Sequence, residues 1–405
     1  MAVENLSGRA NPGAGPVKVL EDIRVIDLGS YIAAPYAAML LAELGADVVK
    51  VERPGSADPS RGYVVDGKAP VFSAVNRNKR AVALDYIQPE GLAVLRRMVE
   101  RADVVIVNVR PGVERKLGVD AESLQAINSR LVYCSITGFG ASGPYAHRPA
   151  YDNVGQALSG VLSRFHQGRD ARVYGPAMTD NITGMQACIG ILGALHERAR
   201  TGMGRRVEVN LMEAMVGFAV EPLIDTLFTG KEQPFYHRGG VSQAYVVTCR
   251  DGLRIGLHLS APDKFWHALA RALDRPDLSK RYPTSTLRLA HYSEIAATLA
   301  EIFATRDRDA WLPLLEAHDV PFGPERKLDE IADDPQIVHL GTFAKVDANA
   351  HGAGLIPNRP QRYDGDNRSV FRPAPRTGEH TDEVLREFGL DSQALAALRE
   401  KRIVG

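Results

Sequence analysis

The sequence predicts an α/β protein whose first half carries a parallel sheet and whose later part opens into a smaller α+β segment. Three observations carry this reading. Short apolar runs alternate with helical patterns from Ile23 onward, and those runs repeatedly end in polar or glycine-containing turns. Only beyond Gly240 do two runs sit close enough, across Asp251-Gly252, to form a hairpin.

The alternation begins with Ile23–Leu28 (IRVIDL), a helical pattern over Pro35–Leu44 and the strand Ala46–Glu52 (ADVVKVE), together a βαβ unit. The turn between them, Gly29–Pro35 (GSYIAAP), ends in small residues and a proline suited to a first helical turn, and lacks the glycine spacing of a dinucleotide fingerprint. A loop to about Pro70 and the polar stretch Asn76-Arg77-Asn78-Lys79-Arg80 precede the strand Ala81–Asp85. Three cations in so short a turn suit either a phosphate site or a solvated turn. The helix Pro89–Arg101, the strand Asp103–Val109, a short helix through Leu117 and the strand Leu131–Ile136 continue the series. Turns that follow the strands of a parallel sheet gather at one edge, where α/β proteins place ligands, so Arg53, Asn108 and Thr137 become candidates.

After an irregular stretch from Ser142 to Ala177, the segment Gly175–Ala214 joins an isolated carboxylate, Asp180, to the most strongly helical part of the chain. Met185, Ile189, Leu192 and Leu195 recur at helical spacing, which predicts a buried stripe on a helix from Asn181 with Thr179 and Asp180 as caps. Gly184, Gly190 and Gly193 would weaken such a helix unless something packs closely there. Gly204 is expected to end it, before a strand Arg205–Leu211 and a long apolar helix Glu213–Leu227. Asp180 has two readings at this point, a helix cap or a nucleophile kept ionised by the helix N-terminus.

A break at Thr229–Gly240 marks the change of domain. The hairpin Ala244–Thr248/Arg254–Leu259 and helices near Asp263–Leu273, Tyr292–Ala304 and Asp309–His318 follow, then Val320–Pro324 leading into a helix Leu328–Ala332. The chain returns through Pro/Arg-rich loops (Pro357–Arg376) to a last helix ending near Phe388. The expected organisation is a leader over 1–17, a large domain over 18–224, a small α+β domain over 225–330, and a return to the large domain over 331–405.

Composition excludes several functions. With 49 Lys+Arg against 49 Asp+Glu, the chain has no electrostatic footprint for nucleic acid or an anionic membrane. Cys134, Cys188 and Cys249 are too few and too scattered for a disulfide framework or a cysteine metal site, which fits a cytoplasmic protein. Cys188 reads as core, and His196 and His380 as surface or capping histidines rather than bases. No apolar run approaches a membrane span, and HExxH, P-loop and GxGxxG motifs are absent.

Six segments in fixed order resemble the family III CoA-transferases, the group of formyl-CoA transferase, carnitine CoA-transferase and α-methylacyl-CoA racemase. They are LAELGADVVKVERPGSADPSRG (41–62), NRNKRAVALD (76–85), NVRPGVERKLG (108–118), YCSITGFGASGPY (133–145), TGMGRRVEVNLMEA (201–214) and GEHTDEVLREFGL (378–390). The resemblance spans about Ile23 to Leu390 and implies a Rossmann-like large domain, a smaller α+β domain and an interlocked homodimer. It makes Asp180, just before a glycine-containing helix, the match of the transferase nucleophile. It also assigns contacts to coenzyme A: Arg53 and Lys116 as phosphate partners by charge, Ala33 beside the pantetheine, and Leu84, Asn108, Leu117, Thr137 and Phe139 as further lining positions.

The resemblance further implies transfer of CoA from an acyl-CoA to a carboxylate, with CoA and acyl-CoA as substrates and no tightly bound cofactor or metal. The racemases carry a Gly-His-Asp segment where this chain has Ala150-Tyr151-Asp152, and tyrosine is a poor base near neutrality. An acyl-CoA racemase and a non-catalytic acyl-CoA-binding protein are the alternatives. Val109 stands where the family commonly has an aromatic residue, Ile32 and Thr137 stand where formyl-CoA transferases have polar and cationic ones, and no tetraglycine loop is present. Formate–oxalate exchange is therefore disfavoured, and a small dicarboxylate such as succinate, met by cations such as Arg77 and Arg238, is the expected substrate type.

Overall fold

The structure is a computed structural model that describes residues 15–165, 175–234, 236–347, 354–369 and 371–405. The first fourteen residues of the expected leader lie outside the described residues. The chain divides into two compact units, one running to Ala219 and resuming at Gln336, the other Val220–Pro335.

The first unit is built on a six-stranded sheet of β1 (Arg24–Asp27), β2 (Asp47–Glu52), β3 (Arg80–Ala83), β4 (Val104–Val107), β5 (Val132–Thr137) and β6 (Arg206–Asn210). Its order is β3-β2-β1-β4-β5-β6, and every pairing is parallel. The strands are short and β-branched, with β1 to β5 covered on both faces, as a parallel sheet requires. The chain first builds outward from β1 to β3, then crosses back to place β4 on the other side. The gap between the ends of β1 and β4 is therefore a topological switch point, where such sheets bind ligands.

Helices α1 (Ala33–Glu43), α2 (Pro70–Asn76), α3 (Pro89–Val99), α4 (Val113–Lys116), α5 (Ala121–Gln125), α6 (Asp152–Leu158), α7 (Met178–Thr201) and α8 (Leu211–Phe218) connect or flank the strands. Two apolar layers result. Ile26, Val49, Val105 and Leu95 lie in the layer completed by the C-terminal residues Val384, Phe388 and Ile403, whereas Val25, Val48, Ile106 and Ala37 meet Ala187 and Ile191 of α7 on the other face.

The α7 stripe differs from the sequence expectation. Of the expected stripe Leu195 is buried and Leu192 packs partly on the core, but Met185 and Ile189 are exposed, and the buried face also takes in Thr183, Gly184, Ala187, Cys188, Ile191 and Ala194. Small residues face inward because α1 packs tightly there: a Cβ on Gly184 would lie 2.8 Å from the Ala33 carbonyl oxygen. Gly190 meets Val207 in the same way, at 2.7 Å, while Gly193 faces open space. The helix ends at Gly202, in the left-handed conformation with φ +73, rather than at Gly204.

The second unit holds an antiparallel sheet β7 (Ala244–Thr248), β8 (Arg254–His258) and β9 (Phe322–Pro324), in that order, backed by helices that include Pro262–Ala272, Tyr292–Phe303 and Arg308–Ala317. The hairpin forms as expected. Pro321 just before β9 and Pro324 at its end hide that strand in the sequence, and Leu328–Ala332 is not an α-helix; a single 3-10 turn occurs at Ile331–Asp333. The predicted helix Glu213–Leu227 is broken after Phe218, with Val220–Thr229 starting a new one. Among the described residues no helix is long and apolar enough to cross a membrane.

Candidate active site

The site is built from the loop after β1. Gly29 lies two residues after Asp27, the end of β1, and a Cβ there would lie 2.4 Å from the Ala34 Cβ, so only glycine fits. The Asp27 carboxylate accepts from the Gly29 N–H at 2.9 Å, and the Lys50 ammonium donates to the Gly29 carbonyl at 2.9 Å. Asn108, just past β4, reaches across the switch point. Its side-chain carbonyl accepts from the Ser30 N–H at 3.0 Å, and its NH2 donates to the Ser30 carbonyl at 2.7 Å. The Tyr31 N–H donates to Asp58 at 3.2 Å, and Tyr31 is held with φ +65, a left-handed conformation unusual for an aromatic residue. Lys79 closes the set, donating to Asp27, to the Pro35 carbonyl and to Asn76, at 2.8, 2.8 and 2.9 Å.

Asp27, Lys50 and Lys79 are wholly buried and Asp58 nearly so. Burial alone would raise the Asp58 carboxyl. The Lys50 ammonium, 2.9 Å away, and hydrogen bonds from Ser60 outweigh it and hold the group below the usual carboxylate range. Burial pulls the Lys79 ammonium down to about 8, opposed by the Asp27 charge. The loop at the switch point is thus clamped residue by residue by a buried ionic network.

Sequence reasoning assigned these cations differently. Lys79 is inside the fold, Arg77 pairs with Glu43, and Arg80 pairs with Asp47, Glu383 and Glu387. The three cations of the polar stretch before β3 are therefore taken by internal partners and are not phosphate ligands. Arg238, in the second unit, pairs with Glu221. The available signal was a lysine inside an apolar strand (DVVKVE) and an aspartate ending another (IRVID), each placed where only a buried partner makes sense.

Asp180 lies three residues into α7, inside its first turn, and Ala177 holds the cap position without a capping side chain. The capping group comes from elsewhere in the chain. The Asp152 carboxylate, at the start of α6, accepts from the backbone N–H groups of Thr179 at 2.6 Å and Asp180 at 3.1 Å, while Gln156 donates to its other oxygen at 2.6 Å. Asp152 is thus the cap that sequence spacing had assigned to Thr179 and Asp180, because a tertiary contact supplies it. Gly184 is one turn beyond Asp180 on the same face of α7 and touches α1 at Ala33, which sets Asp180 beside the start of α1 and the switch-point loop.

Burial is the largest influence on the Asp180 carboxyl, followed by the Asp152 charge, and together they push it up to about 7. This corrects the expectation of a carboxylate kept ionised by the helix N-terminus, since the first N–H groups serve Asp152 instead. Tyr151, immediately before Asp152, meets Tyr31 edge to face at 5.5 Å between ring centres, so two aromatic rings stand between the switch-point loop and the Asp152 cap.

The other candidates divide into two groups. Ala33 opens α1, its carbonyl facing Gly184 of α7, and Asn108 bridges to the loop that precedes α1. Thr137 ends β5 and accepts from the Gly140 N–H at 3.0 Å; a Cβ on Gly138 would lie 2.4 Å from the Ala150 Cβ, which ties the Thr137–Phe139 turn to the segment bearing Asp152. Phe139 is buried against Tyr145. A cavity of about 100 Å³ opens beside Thr137 at the ends of β4 and β5, lined also by Val109 and Arg206. Arg53 stands farther along the edge, after β2, its Nε donating to Asp85 at 3.2 Å with the side chain 39% exposed. Lys116 is exposed on α4 and Leu117 packs partly on the core. Leu84 is fully buried, so only its backbone is at the edge. Cys188 is a core thiol that burial raises to about 11, and His380 accepts from the Ala81 N–H through Nδ1 at 3.2 Å. Among the described residues no cluster of His, Cys, Asp and Glu is placed to hold a metal ion.

Against this geometry, residues 20–381 match the model of CoA-transferase family III. The chain belongs to that family. Succinyl-CoA:glutarate CoA-transferase of Mus musculus is 31% identical over 391 residues, covering 94% of this chain and 89% of that protein. Formyl-CoA:oxalate CoA-transferase of Escherichia coli O157:H7 is 30% identical over 418 residues, covering 95% and 99%. A CAIB/BAIF family protein from Brucella suis has a structure that aligns with a TM-score of 0.80 at 31% identity, covering 92% of this chain and all of that one. The chain is accordingly an enzyme, a CoA-transferase that acts on CoA thioesters and carboxylates.

Proposed function

We propose that the enzyme moves CoA from a donor acyl-CoA to an acceptor carboxylate through covalent intermediates on Asp180. The observation that carries this reading is a half-buried carboxyl in the first turn of α7, with no cationic partner among the described residues, one turn before α7 meets the start of α1 at Gly184. The ionised carboxylate attacks the thioester carbonyl, giving an aspartyl–acyl mixed anhydride and CoA thiolate. The thiolate attacks the aspartyl carbonyl, releasing the donor acid and leaving an aspartyl-CoA thioester. The acceptor carboxylate displaces the thiolate to form a second mixed anhydride. Attack of the thiolate on the acceptor's acyl carbonyl releases the new acyl-CoA and restores Asp180. One activated acyl bond replaces another at every step, so the balance requires neither ATP nor a resident cofactor. A carboxylate is a modest nucleophile, and positioning dominates the expected rate enhancement.

In this reading Arg53, oriented by Asp85, and Lys116 meet the phosphates of CoA. Ala33, Asn108 and Leu117, the backbone at Leu84, and the Thr137–Phe139 turn line the rest of its path. The donor is the CoA thioester of a small organic acid and the acceptor is another such acid, and the names of the relatives make succinyl-CoA the first donor to try. The enzyme works as an interlocked homodimer. Supporting this, Leu223, Ile224, Leu227 and Phe228 leave one helix strongly apolar and exposed, Phe228 by 86%.

Incubation with succinyl-CoA, trapping with hydroxylamine and peptide mass spectrometry test the chemistry. A hydroxamate at Asp180 supports it. Measurable CoA binding with no adduct from any acyl-CoA would overturn it, and deuterium exchange at the substrate α-carbon without acceptor would point to a racemase.

A further inference from the structure

The opposite edge of the same sheet carries a second feature, outside the residues assigned to catalysis. Where α1 turns into β2 and Asn78 leads into β3, a cavity of about 190 Å³ lies against Arg359 and Ser369 of the returning chain, with room for a polyatomic guest. Arg359 is only 2% exposed. Its Nη1 donates to the carbonyls of Val17 and Glu43, both at 2.9 Å, but its Nε and Nη2 have no hydrogen-bond partner among the described residues. The Asn78 NH2 and the Ser369 hydroxyl are likewise buried without a partner.

An unmatched buried donor costs about 1–3 kcal/mol and more when charged, so several around one cavity call for an occupant. Every unmatched group here is able to donate, and the occupant therefore has to accept on several sides. The local charge agrees. Glu43 and Asp47 also line the cavity, but Glu43 is paired with Arg77, and Asp47 receives Arg24 and Arg80. Lys18 and Arg372, on its exposed rim, have no ion-pair partner among the described residues. The carbonyl of Glu43 at the negative end of α1 is already taken by Arg359, which weakens its repulsion of an anion.

We propose that this cavity binds a small oxyanion, held by the Arg359 guanidinium with Asn78 and Ser369 and attracted by Lys18 and Arg372. Phosphate and a compact carboxylate share the required chemistry. The site lies at the N-terminal ends of β2 and β3, about 20 Å along the strands from the edge bearing Arg53 and Asp85. It is a place for an effector rather than for the transferred acyl group.

Isothermal titration of the full-length enzyme with inorganic phosphate and, separately, malonate, at fixed ionic strength and with saturating CoA present, tests the site. Saturable binding of either ion in the presence of CoA is expected, and the ion that binds names the source. Arg359→Gln removes the binding. Because Arg359 also ties two backbone carbonyls, the double variant Lys18→Ala/Arg372→Ala, which alters only rim side chains, provides a folded control in which affinity falls at least about tenfold. Absence of saturable binding, loss of binding when CoA is added, or unchanged affinity in the rim variant would each overturn the proposal.

Discussion

Two sets of carboxylates at the ligand edge of one sheet are treated in opposite ways. Asp27 and Asp58 are buried with a lysine each, at 2.8 and 2.9 Å, and both also accept from backbone N–H groups of the loop they shape, Asp58 accepting from Ser60 besides. Asp180 is half-buried, with another carboxylate as its electrostatic neighbour and no cationic partner among the described residues. In the first set charge is neutralised, which makes a rigid frame; in the second it is left unmatched, which makes a group that gains by reacting. Framework and nucleophile are distinguishable here above all by partner.

The largest effect that tests this contrast is at Asp180. Asp180→Asn should lower turnover by at least about 10³-fold, as expected for loss of a nucleophile, measured with acyl-CoA and acceptor both saturating. The same change should stabilise the fold. The carboxyl titrates near 7 in the folded chain and near the ordinary carboxylate value when unfolded, so the fold favours its neutral form. That contribution is fully present below the unfolded value and is lost as pH rises through about 7. Asparagine stays neutral, so the variant should exceed the parent by on the order of 2 kcal/mol at pH 8 and by nothing near pH 3.5 in denaturant melts. Equal stability at both pH values would mean that Asp180 is solvated or paired.

The framework should respond in the other sense. Lys79→Met leaves Asp27 without its cation inside the fold and should cost about 3–5 kcal/mol in urea unfolding, whether or not substrate is present. A loss under 1 kcal/mol would mean that the network is not a structural clamp. Asn108→Ala removes two hydrogen bonds to Ser30 across the switch point and should cost about 1–3 kcal/mol. Because the loop it frees adjoins the Asp180 helix, KM for acyl-CoA should rise more than kcat falls.

Much of this architecture is legible in the sequence because it depends on local pattern. Apolar runs such as IRVID and DVVKVE and the helical spacing after Pro35 fix the six strands and the helices α1, α3 and α7 of the first unit to within a few residues, whereas α2 and α5 carry no such pattern. What the pattern misses is tertiary. The inward face of α7 is chosen by close contact with α1, so Gly184 and Ala187 are buried while Met185 and Ile189 are exposed, against the hydrophobic order. The cap of α7 is Asp152, 27 residues before the N–H it binds at Thr179. The cations before β3 look solvated in sequence because their partners Glu43, Asp47 and Glu387 lie far along the chain. The prominence of Asp180 came from the six-segment resemblance, since spacing alone allowed a cap.

The smallest predicted effect separates the two causes of the high Asp180 titration point. Burial is the larger and belongs to the packing of α7 on α1; the Asp152 charge is the smaller and belongs to the cap. The nucleophile works ionised, so kcat/KM for the acyl-CoA should rise with pH through about 7 and then level. Asp152→Asn keeps a side-chain oxygen able to accept from Thr179 and Asp180 but removes the charge, so the rise should move to lower pH by a fraction of a unit while the fold loses roughly 1 kcal/mol or less. A profile that does not move would leave burial as the sole cause and Asp152 as a cap alone. Movement to higher pH would show that the helix N-terminus, once relieved of Asp152, does not favour the Asp180 carboxylate, contrary to the sign of its partial charge.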